Sequence, residues 1–203
     1  VEGEALETID AKDLVVSPGF IDIHTHFDPQ LCWDGHATPS IEHGITTVVT
    51  GNCSLSLAPI KSKEDADKIV NMFGVIEDIK KATFDKAVPF SWQSFAEYLD
   101  HIRPKLGINV GALIGHSAIR LFVMGPESQE REATQEEISK MCDIVREAMR
   151  AGALGISSSY VDIDENGEPV PSRFAGFDEK DSTSINKKVP PFFNQAKSKD
   201  EEH

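Results

Sequence analysis

The feature that most constrains the fold is a set of four short apolar runs rich in β-branched residues. They predict strands at Phe20–Ile23, Ile45–Thr50, Ile108–Ile114 and Ala153–Ser157. Polar or helix-forming stretches separate the runs, and this alternation is typical of βα units around a parallel sheet. Near-continuous apolar strands also suit a sheet that is buried on both faces. The sequence therefore predicts the α/β class.

The connecting stretches carry the signals of helices. Residues 39–44 predict a short helix that is closed by a glycine. Residues 63–86 are predicted to be helical, and Ser91 is predicted to cap a further helix that runs to about Ile102. The segment Thr134–Glu137 has the form of a capping box, and it predicts a helix that leads into the fourth strand.

Composition excludes several classes of function. The 203 residues carry a formal net charge of −14, whereas nucleic-acid binding depends on clustered lysine and arginine. No apolar run approaches the roughly 18–20 residues that span a bilayer, so no membrane association is expected. The three cysteines form neither a disulfide framework nor a CxxC pair, which favours a reducing, cytoplasmic location.

The first predicted strand ends in two histidines, His24 and His26, with Asp22 two residues before the first of them. Side chains two positions apart on a strand point to the same side, so both imidazoles can converge on one point. Neutral imidazoles at the end of a rigid strand suit a first-row transition metal. The alternative is a strand whose histidines simply lie at a solvated end.

The surrounding motifs add a family resemblance. The segment Pro18–His26 resembles the first-strand signature of the amidohydrolase superfamily, which comprises metal-dependent hydrolases built on a TIM barrel. Other segments resemble its N-acyl-D-amino-acid deacylase (D-aminoacylase) branch, and the resemblance runs from about Ile9 to about Glu179. These segments are Phe27-Asp28, Trp33-Asp34, Thr38–Ser40, His43–Val49, Gly51–Cys53, Asn109–His116, Gly152–Ser157 and Pro169–Ala175.

The resemblance implies a partial (β/α)8 barrel of about four βα units. Residues 1–17 are expected to be the remnant of a small N-terminal β domain, and residues 18–180 the N-terminal half of the barrel. Residues 181–203 are expected to be a polar, disordered tail. A whole barrel needs about 250 residues, so the chain is expected to be an N-terminal fragment. Half a barrel exposes a sheet edge and an apolar face, which would allow self-association.

The resemblance also implies a metal site. His24 and His26 match the paired histidine ligands, and Cys53 matches the cysteine ligand of the D-aminoacylase branch. Thiolate and imidazole donors favour Zn²⁺, as one or two ions. Asp22 and His116 are predicted to contact the metal ligands without binding the metal themselves. The alternatives are a backbone partner for Asp22 and a structural hydrogen-bonding role for His116. Cys32 and Cys142 are interpreted as structural.

A substrate site and a mechanism follow from the same resemblance. Ser157, Tyr160 and Arg173 are predicted to hold the acyl or carboxylate end of the substrate, since Arg can grip a carboxylate with two hydrogen bonds. The implied reaction is metal-assisted amide hydrolysis of a small N-acyl amino acid. The expected general base is an Asp at the end of the last barrel strand, which this sequence does not include, so no residue here is assigned as catalytic.

Two other functions stay open. A dihydroorotase- or hydantoinase-like cyclic amidase would need a carboxylated lysine near the fourth strand, and the segment Gly155–Tyr160 contains no lysine. A non-catalytic truncated isoform or interaction protein would bind no metal. The leading prediction is a zinc-dependent hydrolase of linear amide C–N bonds.

Overall fold

A four-stranded parallel sheet forms the centre of the computed structural model, which describes residues 5–159, 164, 166–168 and 170. The sheet has the spatial order β1-β2-β3-β4, and each strand pairs in parallel with the next. Sequential order with helices in the connections gives a curled half-barrel, which confirms the predicted fold class. The strands are β1 (Phe20–Asp22), β2 (Ile45–Thr50), β3 (Asn109–Gly115) and β4 (Gly155–Ser157).

Five α-helices and four short 3₁₀ helices occupy the connections within the described residues. The α-helices are α1 (Lys63–Glu77), α2 (Lys81–Ala87), α3 (Phe95–Ile102), α4 (His116–Met124) and α5 (Gln135–Ala151). The 3₁₀ helices are Gln30–Cys32, Ser40–His43, Arg103–Lys105 and Gly125–Gln129. In the part of the chain described above, no helix is both long enough and apolar enough to cross a membrane.

Two helix starts illustrate how the local sequence sets the fold. Thr134 caps α5 as predicted, since its hydroxyl accepts the backbone N–H of Glu137 and the Glu137 side chain accepts the N–H of Thr134. The prediction that Ser91 caps α3 is wrong, because Ser94 forms the capping box with Glu97 instead. The capping box requires Glu three residues after the cap, and Ser94 meets this requirement.

The prediction of one helical stretch over residues 63–86 is wrong in detail. Asp78 has a φ of 53°, so its left-handed conformation ends α1 and separates it from α2. Helix α4 was not predicted, because it follows β3 with no polar connection between them. The glycine closure of the short helix is confirmed, since Gly44 has a φ of 83° after Ser40–His43.

The core lies where α1, α3, α4 and α5 pack together and against the central strands. Val48 of β2 and Ile114 of β3 are fully buried, as are Ile119 of α4 and Met141 of α5. Beside them, the indole N–H of the buried Trp92 donates to the carbonyl oxygen of Leu57 at 2.7 Å. Packing of this kind fixes the carboxyl ends of the strands, where the candidate site lies.

Strand β1 departs from the expectation of burial on both faces. Phe20, Ile21 and Ile23 are 68%, 64% and 69% exposed, because β1 lies at the edge of the described sheet. Residues 5–19 contain no helix or strand, and the predicted β-domain remnant at residues 1–17 stays a prediction. The predicted tail at residues 181–203 lies outside the described residues, so the domain division is untested.

The capping box predicts a measurable effect on stability. Replacing Thr134 with Ala removes the hydroxyl that accepts the Glu137 N–H, and should lower the free energy of unfolding by about 1 kcal/mol. Urea denaturation measures this change. Thr134→Ser keeps a capping oxygen and should stay near the wild type, whereas equal effects of both substitutions would contradict the assigned cap.

Glu137 predicts a dependence of stability on pH. Hydrogen bonds from Arg131, and then from the backbone of Thr134, lower the pKa of Glu137 from 4.5 to about 2. A carboxylate with a lowered pKa stabilises the fold above its ordinary pKa, and the stabilisation is lost as the pH falls from about 4.5 to about 2. Urea denaturation at several pH values should show the wild type and Glu137→Gln converging over that window. A difference that is constant with pH would contradict the assignment.

Candidate metal centre

His24 and His26 follow the end of β1 and lie beside the end of β2. Between them, Thr25 is buried, and both its N–H and its hydroxyl donate to the carbonyl oxygen of Val49, at 3.0 and 2.8 Å. Since Thr25 turns inward, alternation along the chain directs both histidines to the opposite side. Their ring centroids lie 5.5 Å apart.

Cys53 lies in the loop Gly51–Ser54 that follows β2. Its Sγ is 3.1 Å from Nε2 of His24, and one donor atom from each of His24, His26 and Cys53 lies within 4.8 Å of the other two. Two imidazoles and a thiol at these separations form a donor set that suits Zn²⁺. The structure therefore brings together the three residues that the sequence analysis proposed as ligands.

The conformation of this loop is unusual. Cys53 and Ser54 have φ values of 52° and 73°, a left-handed region that non-glycine residues seldom adopt. Gly51 has a φ of 78°, and a Cβ there would lie 2.0 Å from the carbonyl oxygen of Leu113 in β3. Strained residues of this kind persist only where neighbouring contacts hold them, so the contacts of this loop explain the position of Cys53.

Two buried side chains hold the loop from opposite sides. The Asn52 side chain donates to the carbonyl oxygens of Thr25, at 3.2 Å, and Val49, at 3.0 Å. From β4, the Ser157 hydroxyl donates to the carbonyl oxygen of Gly51 and accepts the N–H of Ser54 at 3.2 Å. The substrate-binding role of Ser157 stays a prediction, and the contacts of its hydroxyl are with the loop that carries Cys53.

Asp28 is a third support for the loop, and the sequence analysis missed it. Its buried carboxyl group accepts the N–H of Gly51 at 3.0 Å and the hydroxyl of Thr50. Burial raises the pKa of Asp28 to about 6, although both hydrogen bonds oppose that shift. The signal was present in the sequence, since Asp28 lies two residues after His26 and is part of the Phe27-Asp28 motif.

The state of His26 suits metal binding. Burial lowers the pKa of its imidazole, with the Glu77 carboxylate acting in the opposite direction and His24 in the same direction as burial. Its Nδ1 is buried and has no hydrogen-bond partner among the described residues, while its Nε2 lies 3.6 Å from Oε1 of Glu77. A neutral imidazole is the form that ligates a metal, so the burial of His26 favours the form that binds.

The other predicted site residues have different surroundings. One carboxylate oxygen of Asp22 accepts the backbone N–H of His24 at 3.1 Å, which is the alternative that the sequence analysis left open. His116 is fully buried as the first residue of α4. Tyr160 and Arg173 lie outside the described residues, so their predicted contacts with substrate are untested. Cys32 and Cys142 are buried, as expected for structural thiols.

Comparison with known proteins identifies the relatives of the chain. The sequence profile of the amidohydrolase family matches residues 7–183. A D-aminoacylase from Alcaligenes xylosoxydans xylosoxydans is 42% identical over 151 residues, which cover 74% of this chain and 28% of that enzyme. An N-acyl-D-aspartate deacylase from the same organism is 38% identical over 151 residues, with the same two coverages.

Solved structures show the same relationship. A D-aminoacylase with a binuclear metal centre superposes with a TM-score of 0.64 at 33% identity, covering 82% of this chain and 31% of that one. An N-acyl-D-glutamate deacylase from Bordetella bronchiseptica, in complex with zinc and a phosphonate inhibitor, superposes with a TM-score of 0.57 at 28% identity and the same coverages. The chain thus spans 28% to 31% of the length of these relatives.

The contacts of Ser157 predict a cost of removing its hydroxyl group. Ser157→Ala leaves the buried N–H of Ser54 and the carbonyl of Gly51 without this partner, which should lower the free energy of unfolding by about 1–3 kcal/mol. Urea denaturation measures the loss. Ser158→Ala, at the exposed neighbouring position, should change stability by less than about 0.5 kcal/mol. Equal stability of the two variants would be evidence against the loop contacts.

Proposed function

The chain belongs to the amidohydrolase family, and on that basis we propose that it supplies His24, His26 and Cys53 as zinc ligands of a deacylase. The substrate proposed for the whole protein is an N-acyl-D-amino acid or a related small amide. The observation that carries the proposal is the clustering of three donor atoms within 4.8 Å of one another. The names of the relatives, a D-aminoacylase and an N-acyl-D-aspartate deacylase, support the proposed substrate class.

Zinc is proposed because of the chemistry of the donors. A cysteine thiolate binds Zn²⁺ strongly and is a poor ligand for Mg²⁺ or Ca²⁺, which take oxygen ligands. Three protein donors also leave a position for water or substrate, as in catalytic zinc sites. A zinc complex of the N-acyl-D-glutamate deacylase supports the same choice.

The chemistry that zinc supplies when bound is polarisation of the scissile carbonyl and a lowered pKa of water, towards 7. The residues of this chain hold and orient that site. Asn52, Asp28 and Ser157 fix the loop that presents Cys53, so the thiol faces His24 without rearrangement. Burial favours the neutral form of His26 that binds metal, because it lowers the pKa of the imidazole.

The cyclic-amidase alternative is less well supported. Its carboxylated lysine would lie near the end of β4, and the residues of β4 are Gly155, Ile156 and Ser157. The buried Ser157 hydroxyl at this position contacts the Cys53 loop instead. A cytoplasmic location is part of our proposal, since a reducing compartment keeps Cys53 available as a ligand.

Metal analysis tests the proposal directly. The purified chain, equilibrated with zinc under reducing conditions and then passed through a desalting column, should retain about one zinc ion per chain. Cys53→Ala should retain far less, because it removes the thiolate donor. Elemental analysis of the eluted protein measures both.

Cys142→Ala is the matched control, since it removes a thiol of helix α5 that is not among the candidate ligands. It should retain zinc like the wild type. A wild-type chain that folds by circular dichroism and retains no zinc would falsify the metal site. Equal retention by Cys53→Ala and Cys142→Ala would exclude Cys53 as a ligand.

A further inference from the structure

A cleft of about 430 Å³ lies where the first half of α1 meets α2 and residues 88–93, and we call it the α1–α2 cleft. Its volume is in the range of pockets that hold small molecules. The function proposed above makes no use of it. The apolar part of its lining is formed largely by buried side chains, namely Ile60, Ala66, Val70, Phe84, Val88 and Trp92.

Helix α1 separates the α1–α2 cleft from the candidate metal centre. Lys63, the first residue of α1, lines the cleft, whereas Glu77, the last residue, lies 3.6 Å from Nε2 of His26. A helix of 15 residues is about 22 Å long. None of the three candidate zinc ligands lines the cleft. A ligand in the cleft would therefore bind without contacting the metal.

The polar rim of the α1–α2 cleft carries more positive than negative charge. It holds three lysines, Lys61, Lys63 and Lys81, and two aspartates, Asp67 and Asp85. Lys81 pairs with both aspartates. Lys61 and Lys63 are exposed, and neither forms an ion pair with a carboxylate of the described residues. Because the whole chain has a net charge of −14, this local excess of positive charge favours an anionic group at the rim.

Two aromatic rings form one wall of the α1–α2 cleft. The ring centroids of Phe90 and Trp92 lie 5.7 Å apart, and the indole N–H of Trp92 is held by the carbonyl oxygen of Leu57. Phe90 has a φ of 45°, a left-handed conformation that costs free energy in a bulky residue. Backbone strain of this kind is concentrated at ligand clamps and active sites. The wall is thus a fixed apolar surface for an alkyl or aryl group.

We propose that the α1–α2 cleft binds a small amphipathic carboxylate, with its apolar group against Trp92 and its carboxylate at Lys61 and Lys63. Three lysines against two aspartates leave one positive charge in excess, which matches a monoanion. Lysine ammonium groups form strong, charge-assisted hydrogen bonds to carboxylate oxygens. Each CH₂ group that the apolar lining buries strengthens binding by about fourfold.

Quenching of Trp92 fluorescence by 8-bromooctanoate tests the proposal, because bromine quenches an indole that it contacts. The chain has two tryptophans, so Trp33→Phe, at an exposed position, leaves the emission of Trp92 alone. Emission should fall to a plateau as the 8-bromooctanoate concentration rises. Bromide ion should quench little, since Trp92 is 3% exposed. The shorter 6-bromohexanoate should bind up to about 15-fold more weakly, because it lacks two CH₂ groups.

Two double variants test the role of the lysines. Lys61→Gln with Lys63→Gln should raise the Kd for 8-bromooctanoate by about 2–25-fold, since one exposed ion pair changes an equilibrium constant by about 1.5–5-fold. Lys12→Gln with Lys86→Gln is the matched control, because it removes the same charge from exposed positions outside the cleft. This control should keep a Kd near that of the parent protein. Equal Kd values for the two double variants would overturn the assigned carboxylate position.

Two further outcomes separate this proposal from that of the metal site. The Kd for 8-bromooctanoate should be the same with EDTA present and with zinc added, so a chain that fails to bind zinc would leave the α1–α2 cleft unaffected. Quenching that requires zinc would overturn a separate site. A protein that is folded by circular dichroism and shows no saturable quenching of Trp92 would overturn the proposed ligand class.

Discussion

The two hydrogen bonds donated by the Asn52 side chain join the segments that carry the candidate ligands. One reaches the carbonyl oxygen of Thr25, which lies between His24 and His26, and the other reaches Val49 at the end of β2. A buried amide that loses an acceptor costs about 1–3 kcal/mol, so these contacts strongly favour one arrangement of the two segments. Because Cys53 is the next residue, its place relative to the histidines is set by the fold itself.

The closeness of the loop to β3 depends on glycines. A Cβ at Gly51 would lie 2.0 Å from the carbonyl oxygen of Leu113, and a Cβ at Gly115 would lie 2.3 Å from that of Ser54. Only hydrogen atoms fit at these two contacts, so the loop lies directly on the end of β3. Ser157 then reaches the loop from β4. Strands β2, β3 and β4 and the segment that follows β1 thus contribute to the position of one thiol, although β3 contributes only backbone.

Local signals predicted the fold well and the supports of the site poorly. The bounds of each strand lie within a few residues of the predicted bounds, and the Thr134 capping box was predicted correctly. Both predictions succeed because hydrophobic periodicity and helix caps depend on residues that are neighbours in the sequence. Glu77 lies beside His26 because of where α1 packs, and no local sequence pattern predicts that contact. The hydrogen bond from Ser157 to Gly51 joins residues that are 106 positions apart, so no local pattern predicts it.

The charges around the centre explain why a divalent cation suits it. The Glu77 carboxylate lies 3.6 Å from Nε2 of His26 and acts to raise the pKa of the buried Asp28, and a Cys53 thiolate beside His24 would add a further negative charge. Neutral imidazoles cannot offset repulsion between these negative charges, whereas a bound dication attracts the thiolate that ligates it. Loss of the thiol proton on metal binding supplies the second negative charge only when the cation is present. Deprotonation of the Cys53 thiol and neutralisation of the resulting charge by the metal ion therefore occur together at this centre.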